Sequence, residues 1–337
     1  MKGRRLHAGA PALLAFLVSS PATGWADARE GPPTSPPIPP DRGYVVEEVR
    51  DGLFWVTDGA YNTMFLVSTE GVVAVDPLAT LGPRYLRAIA EVTDKPVTHV
   101  VYSHEHTDHI GAANLFPKSA TIVAHKETAR LLAARNDPRR PPPTVAFDDH
   151  YTLKVGNQTL ELEYRGDNHE AGNIFIYAPR QKVLMLVDVV YPGYMPYKNL
   201  GLAEDVQGYI RAHADALSFA FTTLVAGHVT RLGTRDDVTT AAAFLEDLHA
   251  TCAQLLASQA FPAYLQSGAA RRLAETEARS KWDLHNEYEL DLASRCTAAL
   301  KPRWRGRLAD TDTYLRDNCW AMIEALTVQL PSAAGLP

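Results

Sequence analysis

Ser103-His104-Glu105-His106-Thr107-Asp108-His109 sets four metal-competent side chains within six positions, in the pattern H-x-H-x-D-H. The residues leading in, Val97-Thr98-His99-Val100-Val101-Tyr102, are mostly β-branched or apolar and read as a buried strand. Those leading out, Ile110 to Leu115, read as the start of a helix. The cluster therefore falls on a strand-to-helix turn, where an α/β sheet presents ligand-binding groups. Imidazole nitrogens and carboxylate oxygens are the ligands zinc takes at a catalytic site. One histidine in a loop is unremarkable, but three with an aspartate at a strand end are not.

This turn resembles the signature of the metallo-β-lactamase superfamily. The resemblance covers residues 44–257 and implies an α/β fold, a four-layer αββα sandwich with a one- or two-metal site at the sheet edges. Asp76, after the strand Val72 to Val75, resembles the family's first motif, an aspartate that supports the metal-binding turn from behind; a turn aspartate is the plainer reading. Gly166-Asp167-Asn168-His169-Glu170-Ala171-Gly172-Asn173 resembles the third, with His169 as the ligand and Asp167 as an alternative. Val183 to Val187 is an apolar strand ending in Asp188, and a carboxylate there needs a partner, because an unpaired buried charge is costly. Leu224-Val225-Ala226-Gly227-His228 resembles the fifth motif. The resemblance thus implies His104, His106 and His169 on one metal, Asp108, His109 and His228 on a second, and Asp188 between them. Many lactamases of the superfamily carry cysteine where Asp188 stands; its lactonases, glyoxalase-type thioesterases and phosphodiesterases carry aspartate.

The implied chemistry is hydrolysis. A hydroxide bridging two divalent ions attacks a carbonyl carbon, one ion stabilises the oxyanion, and water or Asp108 protonates the leaving group. Zinc is the expected metal, and a nitrogen and oxygen donor set also suits iron or manganese. Tyr191-Pro192-Gly193-Tyr194-Met195-Pro196-Tyr197-Lys198 follows Asp188 closely, and aromatic walls with polar tips are what small-molecule pockets use. In the family's lactonases a tyrosine shortly after the bridging aspartate lies over the metals, which makes Tyr191 or Tyr194 the catalytic candidate. An ester or lactone is the first expected substrate. A β-lactam is the alternative, favoured by export and disfavoured by Asp188. A thioesterase, a persulfide-oxidising iron enzyme and a metal-binding module without catalysis complete the set.

The chain has 337 residues, 46% hydrophobic and 21% charged, enough for one large domain and an appendage. Its net charge of -6, without a basic patch interleaved with aromatics, gives no case for nucleic acid. Lys2, Arg4 and Arg5 precede a short apolar run, Ala8 to Val18, and small residues follow. Residues 1–28 therefore read as a signal peptide, cleaved at Gly24-Trp25-Ala26 or Ala26-Asp27-Ala28, and imply a periplasmic or secreted protein with no membrane attachment afterwards. Residues 29–43 form a proline-rich linker. The loop from Asn136 to Pro143 carries Arg139 and Arg140, which either line a mouth for anions or sit in solvent.

The segment 235–337 is helical by its apolar stripes, and residues 258–337 read as an added helical hairpin that covers the site or forms a homodimer contact. Cys296 and Cys319 lie on stripes of its two facing helices and are expected to form a disulfide, with Cys252 a buried hydrophobe and competing partner.

Overall fold

The computed structural model describes residues 36–229, 231–276 and 280–328. The expected signal peptide and the first part of the proline-rich linker lie outside the described residues. Two sheets form the centre. In the first, β1 (Val45–Arg50), β2 (Leu53–Thr57), β3 (Asn62–Val67) and β4 (Val72–Val75) run as an antiparallel meander. β5 (Val97–Val101), β6 (Thr121–His125) and β7 (Val145–Phe147) then add in parallel, so the seven strands lie in sequence order. In the second, β8 (His150–Val155), β9 (Gln158–Glu163), β10 (Phe175–Ala178) and β11 (Val183–Leu186) form another meander, and β12 (Thr223–Ala226) pairs in parallel with β11 at the edge.

Alternation along the strands builds three apolar layers. Val73 and Val75 of β4, and Val183 and Met185 of β11, face one another between the sheets. Val72 and Ala74 point outward onto α1 (Pro83–Val92), the one-turn α2 (Thr107–Ile110) and α3 (Lys126–Arg135), where Tyr85, Ile89, Ile110 and Leu132 cover them. Leu184 and Leu186 point outward on the other side, under α5 (Val206–Ser218) and α6 (Arg235–Ser258). A strand buried on both faces has no polar side, which is why β4 and β11 read as unbroken apolar runs. The result is the expected αββα sandwich.

Beyond α6 come two short helices, α7 (Phe261–Leu265) and α8 (Gly268–Thr276), then the long pair α9 (Lys281–Trp304) and α10 (Thr311–Val328). The region is thus more than a hairpin: the polar stretch before α9 folds into α7 and α8, which the apolar stripes did not mark. Pro302 lies inside α9, which runs on to Trp304. Leu292, Leu300, Leu315 and Ile323 are fully buried in the same apolar cluster as Leu184 and Phe244. Each such side chain contributes about 1.5–3 kcal/mol by leaving water. The Trp304 indole N–H donates to Asp247 on α6 at 2.7 Å. Cys296 and Cys319 are disulfide-bonded, tying α9 to α10, and the buried Cys252 thiol of α6 lies 3.1 Å from Cys296 Sγ. Among the described residues no helix is long and apolar enough to cross a membrane.

One segment departs from ordinary backbone. In α4 (Lys198–Leu202), Asn199, Leu200, Gly201 and Leu202 have φ of 54°, 57°, 68° and 59°. Three of these carry side chains in the left-handed region, each at a cost of about 1–2 kcal/mol. Packing and hydrogen bonding hold the turn: Leu200 is fully buried, and its N–H donates to Asn318 Oδ1 of α10 at 2.7 Å.

Candidate metal centre

The metal-binding turn is fixed from below. Asp76 ends β4 and is fully buried; its two oxygens accept from the backbone N–H of Ser103 at 2.7 Å and from the Ser103 hydroxyl at 2.6 Å. The same hydroxyl lies 2.9 Å from His104 Nδ1. With that hydroxyl's proton on Asp76, Nδ1–H donates to the Ser103 oxygen, and the lone pair of His104 Nε2 faces the site. That nitrogen is buried and lacks a hydrogen-bond partner among the described residues. Burial, reinforced by the neighbouring histidines His109 and His106, pushes His104 well below the usual imidazole range, so it stays a neutral ligand.

Two donor groups gather here. His104, His106, His169 and Asp188 form one, and Asp108, His109 and His228 the other, with the ligand atoms of each group within 4.8 Å of one another. Asp188 stands between them. Its Oδ2 is 3.6 Å from His104 Nε2, 3.3 Å from His169 Nε2 and 3.2 Å from His109 Nε2, while Oδ1 is 3.0 Å from His228 Nε2. Burial alone would raise the Asp188 carboxyl, but His109 and His169 hold it well below the usual range. His109 Nε2 and His228 Nε2 face each other at 3.3 Å, and Asp108 Oδ2 lies 3.5 Å from His109 and 3.7 Å from His228. Convergent imidazole nitrogens without partners of their own would be costly in a buried site. Divalent metal binding would remove that cost, and the nitrogen and oxygen donors fit it.

His228 reaches the site because the two sheets meet at β3 and β12: Asn62 N–H donates to Gly227 O at 3.0 Å. A Cβ at Gly227 would stand 2.9 Å from His109 Cε1 and 3.0 Å from Asp188 Oδ1, so only glycine lets this strand end approach. Asp167, the alternative ligand, is exposed and takes the Tyr164 hydroxyl instead. Arg139 and Arg140 do not line a mouth. Arg139 pairs with Asp137, and Arg140, 6% exposed, bonds Glu105 Oε2 at 2.6 Å. Arg135 holds the other Glu105 oxygen at 2.5 Å, so the buried glutamate inside the H-x-H-x-D-H turn is neutralised by two cations.

The site opens into a cavity of about 610 Å3 whose lining includes Tyr191 and Tyr194. Tyr191 is buried and stacks on His228, with ring centroids 6.1 Å apart. Tyr61, on the turn between β2 and β3, was not singled out in the sequence. Its ring lies 4.5 Å from that of His228, and burial with the charges of Asp108 and Asp188 pushes its phenol up to about 12. Burial, with the Asp188 charge, also raises Tyr191 well above the usual range. Both phenols therefore stay protonated near neutrality and can donate hydrogen bonds. Glu170 was quoted only as part of a loop, yet its Oε2 accepts from His106 Nε2 at 2.5 Å.

Residues 56–228 match the profile of the metallo-beta-lactamase superfamily. The chain belongs to that superfamily. Its H-x-H-x-D-H turn and the candidate ligands His169, Asp188 and His228 fall within the matched span. Among curated proteins it is similar to the 2,4-dinitroanisole O-demethylase subunit alpha of Nocardioides sp., 30% identical over 56% of this chain and 59% of the relative. It is similar to a metallo-beta-lactamase type 2 of Elizabethkingia meningoseptica, 28% identical over 42% of this chain and 59% of the relative. The chain thus spans about three fifths of these relatives' length. Among solved structures, the metallo-beta-lactamase from Pontibacter korlensis aligns over 60% of this chain and 99% of its own, with a TM-score of 0.52 and 22% identity, a likeness of metallo-beta-lactamase fold.

Proposed function

We propose that the protein is a binuclear metal-dependent hydrolase acting on an ester or lactone. The observation that carries this reading is Asp188, placed between two complete donor groups at the floor of the cavity. When bound, divalent ions, zinc by default, supply Lewis acidity and a water acidic enough to attack at neutral pH. The chain's own part is positional. With metal bound, His104, His106 and His169 would hold one side and Asp108, His109 and His228 the other, with Asp188 between the two groups. Tyr61 and Tyr191, both kept protonated, stand where they can donate to a carbonyl oxygen as it gains charge. Asp108, 40% exposed at its side chain, is placed to carry a proton to the departing group. A periplasmic or secreted location goes with this reading, supported by the basic and apolar N-terminal sequence and by the disulfide.

Hydrolysis of a β-lactam is the second reading, favoured by the similarity to the Elizabethkingia enzyme. The similarity to a 2,4-dinitroanisole O-demethylase subunit adds activated aryl ethers to the classes worth assaying. The test is turnover of aryl esters, lactones, 2,4-dinitroanisole and a chromogenic cephalosporin by zinc-, iron- and manganese-loaded protein. Ester or lactone turnover that vanishes in Asp188→Ala supports the proposal; turnover of the cephalosporin alone overturns it.

A further inference from the structure

The C-terminal helices contribute to the wall of the cavity. The turn between α9 and α10 runs beside the tyrosine-bearing loop: Met195 N–H donates to Ala309 O at 3.0 Å, and Ala309 N–H to Gly193 O at 2.9 Å. Asp310 and Tyr314, at the start of α10, thereby reach the cavity lining. Tyr314 meets Tyr197 edge to face, with ring centroids 5.3 Å apart at 61°. Leu202, carried outward by the left-handed turn, completes this wall. Tyr197 is 46% exposed and Leu202 54%, among the few large hydrophobics left so open. Apolar surface gathered at the mouth of a pocket gains by meeting an apolar occupant.

The one charged side chain of this outer wall is a carboxylate. Asp310 brings a carboxylate to the rim and is in no ion pair among the described residues, since Lys301 and Arg305 both pair with Asp312. Among the described residues, no lysine or arginine lines the cavity; Lys198, next to Tyr197, is outside the lining. Anions are held by cationic forks or by ammonium groups, and here the rim offers neither. An aromatic group, by contrast, can pack against the edges and faces of the two tyrosines.

We infer that the outer site made by Tyr197, Leu202, Asp310 and Tyr314 selects substrates carrying an uncharged aromatic group and rejects those with an anion at that end. This rests on the hydrolase reading for the position of the scissile bond, and it makes the C-terminal helices part of the specificity machinery.

The experiment is designed to separate the two. Acetanilide and its 4-carboxylate, amides held here as unreactive ester mimics, are titrated calorimetrically into the metal-loaded full chain. Binding is read without turnover, so an inactive protein still answers. The wild type should bind the neutral ligand at least tenfold more tightly. Asp310→Asn should bring the ratio toward unity; asparagine tolerates the φ of 56° at this position, so the backbone should survive the change. Coordination of the ligand carboxylate to the metals is common to both proteins and cancels in the change of ratio. Tyr314→Ala should weaken the neutral ligand about tenfold. Tyr197→Ala, at an exposed position, should do the same without risk to α10. Equal binding of both ligands by the wild type, a ratio unmoved by Asp310→Asn, or neutral binding unmoved by both tyrosine variants would overturn the inference.

Discussion

Glu170 Oε2 and His106 Nε2 lie 2.5 Å apart, while Nδ1 of the same ring faces His169 Nε2 at 3.1 Å. The imidazole is thus held by its far edge, with Nδ1 turned into the metal site. Glu170 is itself held, because its other oxygen accepts from the Glu105 N–H at 3.1 Å and Glu105 is clamped by Arg135 and Arg140. Outer partners of this kind fix the tautomer and typically contribute 10–100-fold in metal affinity. Glu170→Ala should therefore weaken the three-histidine site by roughly 10–100-fold in competition with a chromophoric chelator. Glu170→Gln, which can still accept from Nε2–H, should recover most of the loss. Equal metal affinity in Glu170→Ala and wild type would leave Glu170 no positioning role.

Asp188 touches both donor groups, whereas each histidine belongs to one. Asp188→Ala should lower the content of both ions, and His104→Ala chiefly that of one. Metal analysis after gel filtration distinguishes these outcomes. Retention of two ions and full turnover by Asp188→Ala would contradict the bridging assignment.

The three cysteines make a second testable group. A disulfide closing a loop of this length stabilises by about 3 kcal/mol in the chain-entropy account. Cys319→Ser should not simply lose that bond, because the Cys252 thiol stands 3.1 Å from Cys296 Sγ. After oxidative folding, a non-reduced digest of Cys319→Ser should contain a Cys252–Cys296 peptide, linking α6 to α9 instead. Two freely alkylated thiols in the unfolded, unreduced variant would contradict that geometry.

Acid stability should depend on His213, on α5. It is fully buried, and burial lowers its imidazole to about 4, against the opposing pull of backbone carbonyls such as Tyr209 O at 2.9 Å. Its folded pKa lies below its unfolded value. The unfolded chain thus takes up a proton first as pH falls. The stability is complete above about 6.5 and is lost progressively as pH drops toward 4, by about 3 kcal/mol. Urea unfolding at pH 7 and pH 4.5 should show a smaller pH-dependent loss in His213→Gln than in wild type. Parallel losses in the two proteins would exclude the assignment.

Most of the donors that converge were legible because their chemistry is local: the histidine turn, Asp188 and His228 follow short apolar strands, whereas His169 stood out only by its place in the motif order. Asp76 was legible for the same reason. Tyr61 was not, since an aromatic in a hairpin turn looks like any other until β12 brings His228 against it. Arg140 looked solvated because its partner, Glu105, is hidden among the histidines of the metal turn. Asp310, Tyr314 and Asn318 were out of reach: their roles depend on how α10 packs, and an apolar stripe records that a helix packs, not against what. The left-handed turn was invisible too: Asn199 and Gly201 favour positive φ, but Leu200 and Leu202 give no such signal.

The hydrogen bond from Leu200 to Asn318 joins residues 118 apart in sequence. Every candidate metal ligand precedes Asn318 in the chain, the last being His228. The far wall is therefore a joint product: Tyr197 and Leu202 come from the stretch that carries the donors, Asp310 and Tyr314 from the tail. A gene rearrangement that exchanged the tail from α9 onward would leave the donors untouched while reshaping what they meet. On the proposed reading, half of the substrate-facing outer wall would then be portable, carried by a segment that contributes no donor to the metals.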